Sequence, residues 1–227
     1  MKVSVCATIP APTVEQALDL ITKAEQRHAN LVELRFDYLD DLSRTGEIIS
    51  ATRLTKIATL RHISEGGRFR GKEHDRIRCL FEAAKSGCEF IDIELGTRNT
   101  PEIIRKIKNL GAKTIISYHD FHSTHNFRKL NTILRRQIKT KADLFKIVTT
   151  ARKLRDNLTI LDFVAKTKKR GEVVSFAMGE LGTVSRILSP IYGASFTFAA
   201  VERGIESAAG QLTLEEMRSI YRSMRLE

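Results

Sequence analysis

Apolar and polar residues alternate strictly through Leu31-Val32-Glu33-Leu34-Arg35-Phe36-Asp37. Val32, Leu34 and Phe36 fall on one face and Glu33, Arg35 and Asp37 on the other, the period of a β-strand. Ile91-Asp92-Ile93-Glu94 repeats the pattern, and three further apolar runs end on one ionisable group each: Arg61, His119 and Lys146. One such strand is what any sheet with a wet face shows. Five strands delivering charge at their C-terminal ends predict a shared pocket, because unpaired charge is rarely buried without a task.

Around these runs the spacing predicts strands at 3–9, 30–36, 56–61, 89–94, 112–118, 143–148, 173–177 and 194–198. Between them lie helical patterns at 14–27, 43–54, 73–85, 126–140, 150–168, 181–190 and 213–224, plus a helix opened by Thr100-Pro101 and closed by Gly111. Thr13 is placed to cap the first helix, and Thr213 with Glu216 forms a capping-box signature for the last. Pro190 is expected to stop the seventh, and residues 62–72, with Glu65-Gly66-Gly67, to form a mobile loop. Strand then helix, eight times in 227 residues, predicts a parallel sheet and a single (β/α)8 TIM barrel domain over 1–227. An open doubly wound sheet shares the alternation. The barrel fits better, since its active sites lie at the C-terminal ends of the strands, where the charges gather.

Composition narrows the class. Hydrophobic residues make up 42%, enough for a core, and no apolar run approaches the length of a membrane span. The first ten residues lack the basic and apolar segments of a secretion signal. Three cysteines, Cys6, Cys79 and Cys88, show no metal-site spacing, which fits a reduced, cytoplasmic setting. The net charge of +11 raises a nucleic-acid partner, but the basic patches at 139–141 and 166–170 carry no interleaved aromatics and the chain has no tryptophan. No nucleic acid and no membrane partner is expected. A positive field that draws in an anionic small molecule is.

Candidate chemistry follows from position. Lys146 sits inside Leu144-Phe145-Lys146-Ile147-Val148, where a neutral amine would be a carbonyl nucleophile. The alternative is an ammonium paired with a buried carboxylate. His119 ends the preceding strand and suits a general acid and base. His122 and His125 follow at intervals of three and raise a metal site as an alternative, but loop positions after a strand need not converge. Arg35, Arg61 and Arg186 offer guanidinium forks for a substrate carboxylate, against internal pairing of Arg35 with Glu33 or Asp92. Glu65 lies within reach of His119. Met178 reads as core filling or a substrate contact. Ser207-Ala208-Ala209-Gly210-Gln211 reads as a lid or an ordinary turn.

Taken together these segments resemble the type I 3-dehydroquinate dehydratases of the shikimate pathway over nearly the whole chain. The landmarks are Glu33-Leu34-Arg35-Phe36-Asp37, Arg61 with Glu65-Gly66-Gly67, Ser117-Tyr118-His119-Asp120-Phe121-His122, Phe145-Lys146-Ile147, Met178-Gly179-Glu180-Leu181-Gly182 with Ser185-Arg186, and Ser207 to Gln211. The resemblance implies a cofactor-free, metal-free dehydration of 3-dehydroquinate to 3-dehydroshikimate. It implies Lys146 as the imine-forming lysine, His119 as general acid/base and Glu65 as the glutamate beside it. Glu33, Arg35, Arg61, Arg186, Ser207 and Gln211 match substrate-binding positions and Met178 a contact, with a homodimer left open. The chain begins almost directly on the first strand, as in the short archaeal forms, rather than on a hairpin. Its lid reads Ala-Ala where many relatives have Ala-Pro. Another imine-forming lyase of the class I aldolase kind would share Lys146 but need a sugar phosphate. A nucleic-acid-binding module is the third reading.

Overall fold

In a computed structural model, which describes residues 2–226, eight strands alternate with eight helices. The strands are β1 Val5–Ile9, β2 Leu31–Arg35, β3 Thr55–Thr59, β4 Phe90–Glu94, β5 Lys113–His119, β6 Leu144–Thr150, β7 Glu172–Met178 and β8 Thr197–Ala200. The helices are α1 Val14–Gln26, α2 Thr45–Ser50, α3 Glu73–Lys85, α4 Thr100–Asn109, α5 Phe127–Lys139, α6 Arg155–Thr167, α7 Thr183–Tyr192 and α8 Leu214–Ser223. Every ladder is parallel and the order is β7-β6-β5-β4-β3-β2-β1-β8. The seam between the outermost two strands is narrow: Ser195 N–H donates to Val173 O, at the start of β7, at 2.9 Å. The fold is a nearly closed (β/α)8 barrel.

Alternation along each strand separates two cores. Val32, Leu34, Ile91, Ile93, Ile116, Phe145 and Ile147 point outward and pack beneath the helices with residues such as Leu80, Leu130 and Phe163. Each such side chain removed from water contributes about 1.5–3 kcal/mol. A smaller interior cluster of Cys6, Ile57, Ile115, Leu144, Val174, Phe196 and Phe198 fills the barrel. Barrel interiors are packed with side chains rather than open as pores. Set among these apolar interior residues, which extend upward to Val148, Phe176 and Met178, are the buried, ionisable Glu33, Arg35, Asp92, Glu94 and Lys146.

Several boundaries differ from the sequence-based expectation, among them α2, which spans Thr45–Ser50 rather than 43–54, and β3, which ends at Thr59 rather than at 61. Helix α6 starts at Arg155, not 150, because β6 continues to Thr150, paired with Met178 of β7. Asp156 then accepts from the N–H groups of Arg152 and Lys153, shaping the turn into α6. Helix α7 runs through Pro190 to Tyr192. A proline there cannot donate to the carbonyl four residues back. That carbonyl, on Arg186, instead accepts from the Thr197 hydroxyl at 2.8 Å, which offsets the missing bond. Strand β8 begins at Thr197, set by its register with Val5 of β1. The 62–72 segment contains a 3-10 turn at Ile63–Glu65 and is tied back by Phe69 N–H to Arg61 O at 3.1 Å and Arg68 N–H to Asp37 Oδ2 at 3.1 Å. Both caps form as expected, Thr13 accepting from Gln16 N–H and Thr213 from Glu216 N–H.

Candidate active site

Strands β2, β4, β5 and β6, with Arg61 two residues past the end of β3, bring Glu33, Arg35, Asp92, His119, Lys146 and Arg61 to one end of the barrel interior. Parallel register does this without long loops: Ser117 of β5 lies beside Lys146, and His119 beside Val148. His119 therefore sits two residues, about 7 Å of strand, nearer the barrel mouth than the backbone of Lys146. Lys146 is the third residue of β6, inside the strand as the 143–148 run predicted, rather than at the end of an apolar run. The apolar run breaks there in sequence, but pairing with β7 carries the strand on to Thr150. The amine rises toward the mouth from within the barrel, over the ring of Phe198 at 4.4 Å.

Lys146 Nζ lies 3.2 Å from Glu33 Oε1 and 3.2 Å from Asp92 Oδ2. In this structure the lysine is thus paired with buried carboxylates. Glu33 is fixed by the Thr59 hydroxyl at 3.0 Å, and Asp92 by Arg61 at 2.9 Å and Ser117 at 2.6 Å. Burial alone would raise the Asp92 carboxyl, yet Arg61, Lys146 and the Ser117 hydroxyl hold it well below the usual carboxylate range. The expected pairing of Arg35 with Glu33 or Asp92 is replaced by a two-bond fork to Asp37, at 2.9 and 2.8 Å. The chain leaves β2 in a 3-10 turn, Phe36–Tyr38, which swings Asp37 back onto the arginine.

His119 faces the same cavity with its ring stacked at 15° on Phe121, 6.0 Å between centroids. Burial, then the nearby cations Arg61 and Lys146, push the imidazole well below its ordinary 6.5, against the opposing pull of Asp92. The ring is neutral at pH 7, and its Nδ1 is buried without a hydrogen-bond partner. Burial and the Glu94 charge raise the Glu65 carboxyl. Glu65 reaches the cavity from the 3-10 turn, whose closing residue, Gly66, has φ 76° and lies against Phe121 so closely that a Cβ would meet its ring at 2.3 Å. Arg186 comes from α7; burial lowers its guanidinium to about 10, leaving it charged at neutral pH. Its Nε and Nη2 are buried without hydrogen-bond partners, and its guanidinium lies 4.2 Å from the Phe176 ring centroid.

Segment 207–211 closes the wall. Ser207 N–H and Oγ both donate to Gln211 Oε1, and Gln211 Nε2 donates to Thr8 Oγ1 at 3.3 Å. Gly179 N–H donates to Ala209 O at 3.0 Å. A Cβ on Gly210 would meet Gly179 O at 2.2 Å, so the glycine at 210 permits a close backbone approach. Lys146, His119, Glu65, Glu33, Arg35, Arg61, Arg186, Ser207, Gln211 and Met178 all line one cavity. His125 instead pairs with Asp120 at 2.9 Å, and among the described residues no group of His, Cys, Asp and Glu is placed to hold a metal ion.

The whole of this architecture is matched by known proteins. A model of the type I 3-dehydroquinase family matches residues 5–227. The chain belongs to this family. A 3-dehydroquinate dehydratase of Dehalococcoides mccartyi is 38% identical over 205 residues, covering 89% of this chain and 90% of that protein. One from Methanosarcina barkeri is 36% identical over 225 residues, covering 94% and 93%. Among solved structures, the 3-dehydroquinate dehydratase of Geobacillus kaustophilus superposes with a TM-score of 0.91 at 21% identity, covering 99% of this chain and 92% of that one. That of Aquifex aeolicus gives 0.82 at 26%, covering 98% of each. As a type I 3-dehydroquinase the chain is a dehydratase, and among its described residues no helix is long and apolar enough to cross a membrane.

Thr8, Phe176 and Phe198 line the cavity and were not singled out in the sequence, while Phe121, Val148 and Ala208 line it too and stood there only inside longer motifs. Asp92, read in sequence as a strand charge and a partner for Arg35, holds Lys146 instead. Asp92 had a signal, its alternation with Ile91 and Ile93. The aromatic wall had none, since Phe176 and Phe198 look like any strand core residue.

Proposed function

We propose that the chain converts 3-dehydroquinate to 3-dehydroshikimate through an imine on Lys146. The observation that carries this reading is an amine and a neutral imidazole facing one cavity beside an arginine with buried, unpartnered donors. The partnerless Nε and Nη2 of Arg186 suit the substrate carboxylate, since a buried guanidinium lacking acceptors is costly until an anion supplies them. Ser207 and Gln211, with Arg35, Arg61 and Glu33, bind the hydroxyls and the rest of the ring, and Met178 packs on it.

The steps balance without a cofactor. The Lys146 amine, after giving up its proton, adds to the C3 carbonyl, and loss of water from the carbinolamine forms the protonated imine. That cation withdraws electrons from C2, so His119 removes a C2 proton to leave an enamine. The enamine expels the C1 hydroxyl as His119 returns its proton, releasing water and forming the C1–C2 double bond. Hydrolysis of the imine then frees the product and the amine. Glu65, a carboxyl raised by burial on the same wall, orients His119 and steadies its protonated form once substrate is bound.

Borohydride added with 3-dehydroquinate should reduce the imine and leave a stable adduct on Lys146, seen as a gain in intact mass with loss of turnover. Lys146→Ala should show neither adduct nor enone absorbance. An unchanged parent mass together with a Lys146→Ala variant that still turns over would overturn the covalent route.

A further inference from the structure

A buried line of alternating charge leaves the cavity through the barrel wall. Asp92 Oδ2, which faces Lys146, also forms an ion pair with Arg61 Nη2 2.9 Å away; Arg61 Nη1 lies 3.6 Å from Glu94 Oε1. Glu94 Oε2 in turn lies 2.5 Å from Nη1 of Arg76 on α3. Arg76 is 1% exposed and ends the line at the surface with two 2.7 Å bonds to Glu73. Neither Arg76 nor Glu94 lines the cavity that holds Lys146; both border a separate hollow next to it, shared with Glu65.

We propose that Arg76 is a positioning residue for the imine step, acting on Lys146 through Glu94, Arg61 and Asp92. The inference rests on the Lys146 imine reading and deepens it. Along this line Glu33, Asp92 and Glu94 face Lys146, Arg61 and Arg76, three buried carboxylates against three buried cations. With Arg76 in place Glu94 is neutralised from outside the barrel, and Arg61 is free to hold Asp92. Without it Glu94 becomes a buried, uncompensated carboxylate whose nearest cation is Arg61. Arg61 is then drawn off Asp92, whose charge falls on Lys146 and favours the ammonium that cannot attack. Neutralising Glu94 instead leaves surplus positive charge and acts in the opposite sense.

The titratable and charged groups around Lys146 from the surrounding elements are Cys6 on β1, Glu33 and Arg35 on β2, Arg61 beyond β3, Glu65 in the 3-10 turn after it, Asp92 on β4, His119 on β5 and Arg186 on α7. Of these, His119 must also be neutral to take the C2 proton. Surplus negative charge moves both working groups the same way, so the sign holds whichever of them governs the acid limb of the rate profile.

The test is the pH profile of kcat/KM for 3-dehydroquinate, with melting midpoints and borohydride trapping, on the parent, Arg76→Met, Arg76→Lys, Glu94→Gln and the Arg76→Met/Glu94→Gln double variant. Arg76→Met should move the acid limb up by about half to one pH unit, slowing turnover and trapping on the limb about three- to tenfold. Glu94→Gln should move it down, the double variant should return it toward the parent, and Arg76→Lys should move it least. Arg76 also donates to Leu60 O at 3.2 Å, so a purely bracing role would lower the melting midpoint and leave the limb unmoved. That result overturns the proposal, as does a double variant no closer to the parent than Arg76→Met. If Arg76→Met does not fold, Glu94→Gln decides, an unmoved or raised limb counting against the proposal. A parent that forms no adduct overturns the imine reading and this one together; a parent that does, with limbs unmoved, overturns this one alone.

Discussion

The two faces of the same strands follow opposite rules. Toward the helices β4 presents Ile91 and Ile93, and toward the barrel axis Asp92 and Glu94. On β6 the outward pair is Phe145 and Ile147, the inward set Leu144, Lys146 and Val148. The outward face is a store of stability with no polar obligations. The inward face holds charges whose desolvation is offset only by partners arriving from other strands, since breaking a buried pair is strongly destabilising. A period of two thus lets one strand serve packing and chemistry without either intruding on the other. Changes on the two faces should separate cleanly, in turnover for one and in stability for the other.

The largest such separation is expected at His119. His119→Ala should lose about 10²–10⁴ in kcat, the range for removing a general acid/base. Imine trapping on Lys146 should persist, since the amine and its partners remain. A variant within about threefold of the parent rate would take proton transfer away from this side chain. On the opposite face, Ile147→Ala, one residue from the lysine, should lower unfolding free energy by about 2–5 kcal/mol while leaving kcat per folded molecule close to the parent value. Denaturant melts and active-site titration by borohydride check both halves. A large fall in kcat of the folded fraction would show that the faces are not independent.

Mild acidification probes the inward face through His119. In the folded protein His119 is held neutral below its ordinary 6.5, so the unfolded chain takes up that proton first. Stability is therefore present above about pH 6.5 and declines as the pH falls from there toward the lower folded value. The His119→Ala variant should show a flatter dependence over the same window, and equal slopes would assign the acid sensitivity elsewhere. The smallest effect is expected at the rim. Segment 203–206 is largely exposed, whereas 207–211 is anchored through Ala209, Gly210 and Gln211. Amide exchange across 203–211 should slow on binding product, most at 203–206, as Ser207 and Gln211 engage it. Unchanged exchange there, with protection elsewhere in the cavity, would remove the lid.

The barrel itself was legible because its signals are local. Strand periodicity, helix caps at Thr13 and Thr213 and turn glycines are set by neighbours a few residues away. The misplaced boundaries show where locality ends. Pro190 is a valid stop signal, but a threonine seven residues on, brought back by β8, supplies the bond that lets α7 continue. The start of α6 was missed for a similar reason, since pairing with β7 extends β6 past the last apolar residue.

For the site, the sequence by itself determined which groups are exceptional. A lysine, a histidine and carboxylates in otherwise apolar strands are visible without coordinates, because period two marks any polar residue on an apolar face. Their partners were decided only by the tertiary structure. Arg35 turned to Asp37 rather than to Glu33, because the backbone leaves β2 in a tight turn. Arg76 was not singled out in the sequence; on its outer side it pairs with Glu73, three residues away. What the spacing could not carry is that the other edge of the same guanidinium enters the protein and meets Glu94 from a different strand. Burial and Coulomb energy depend on distances between segments far apart in the chain, and those distances exist only once the barrel has closed.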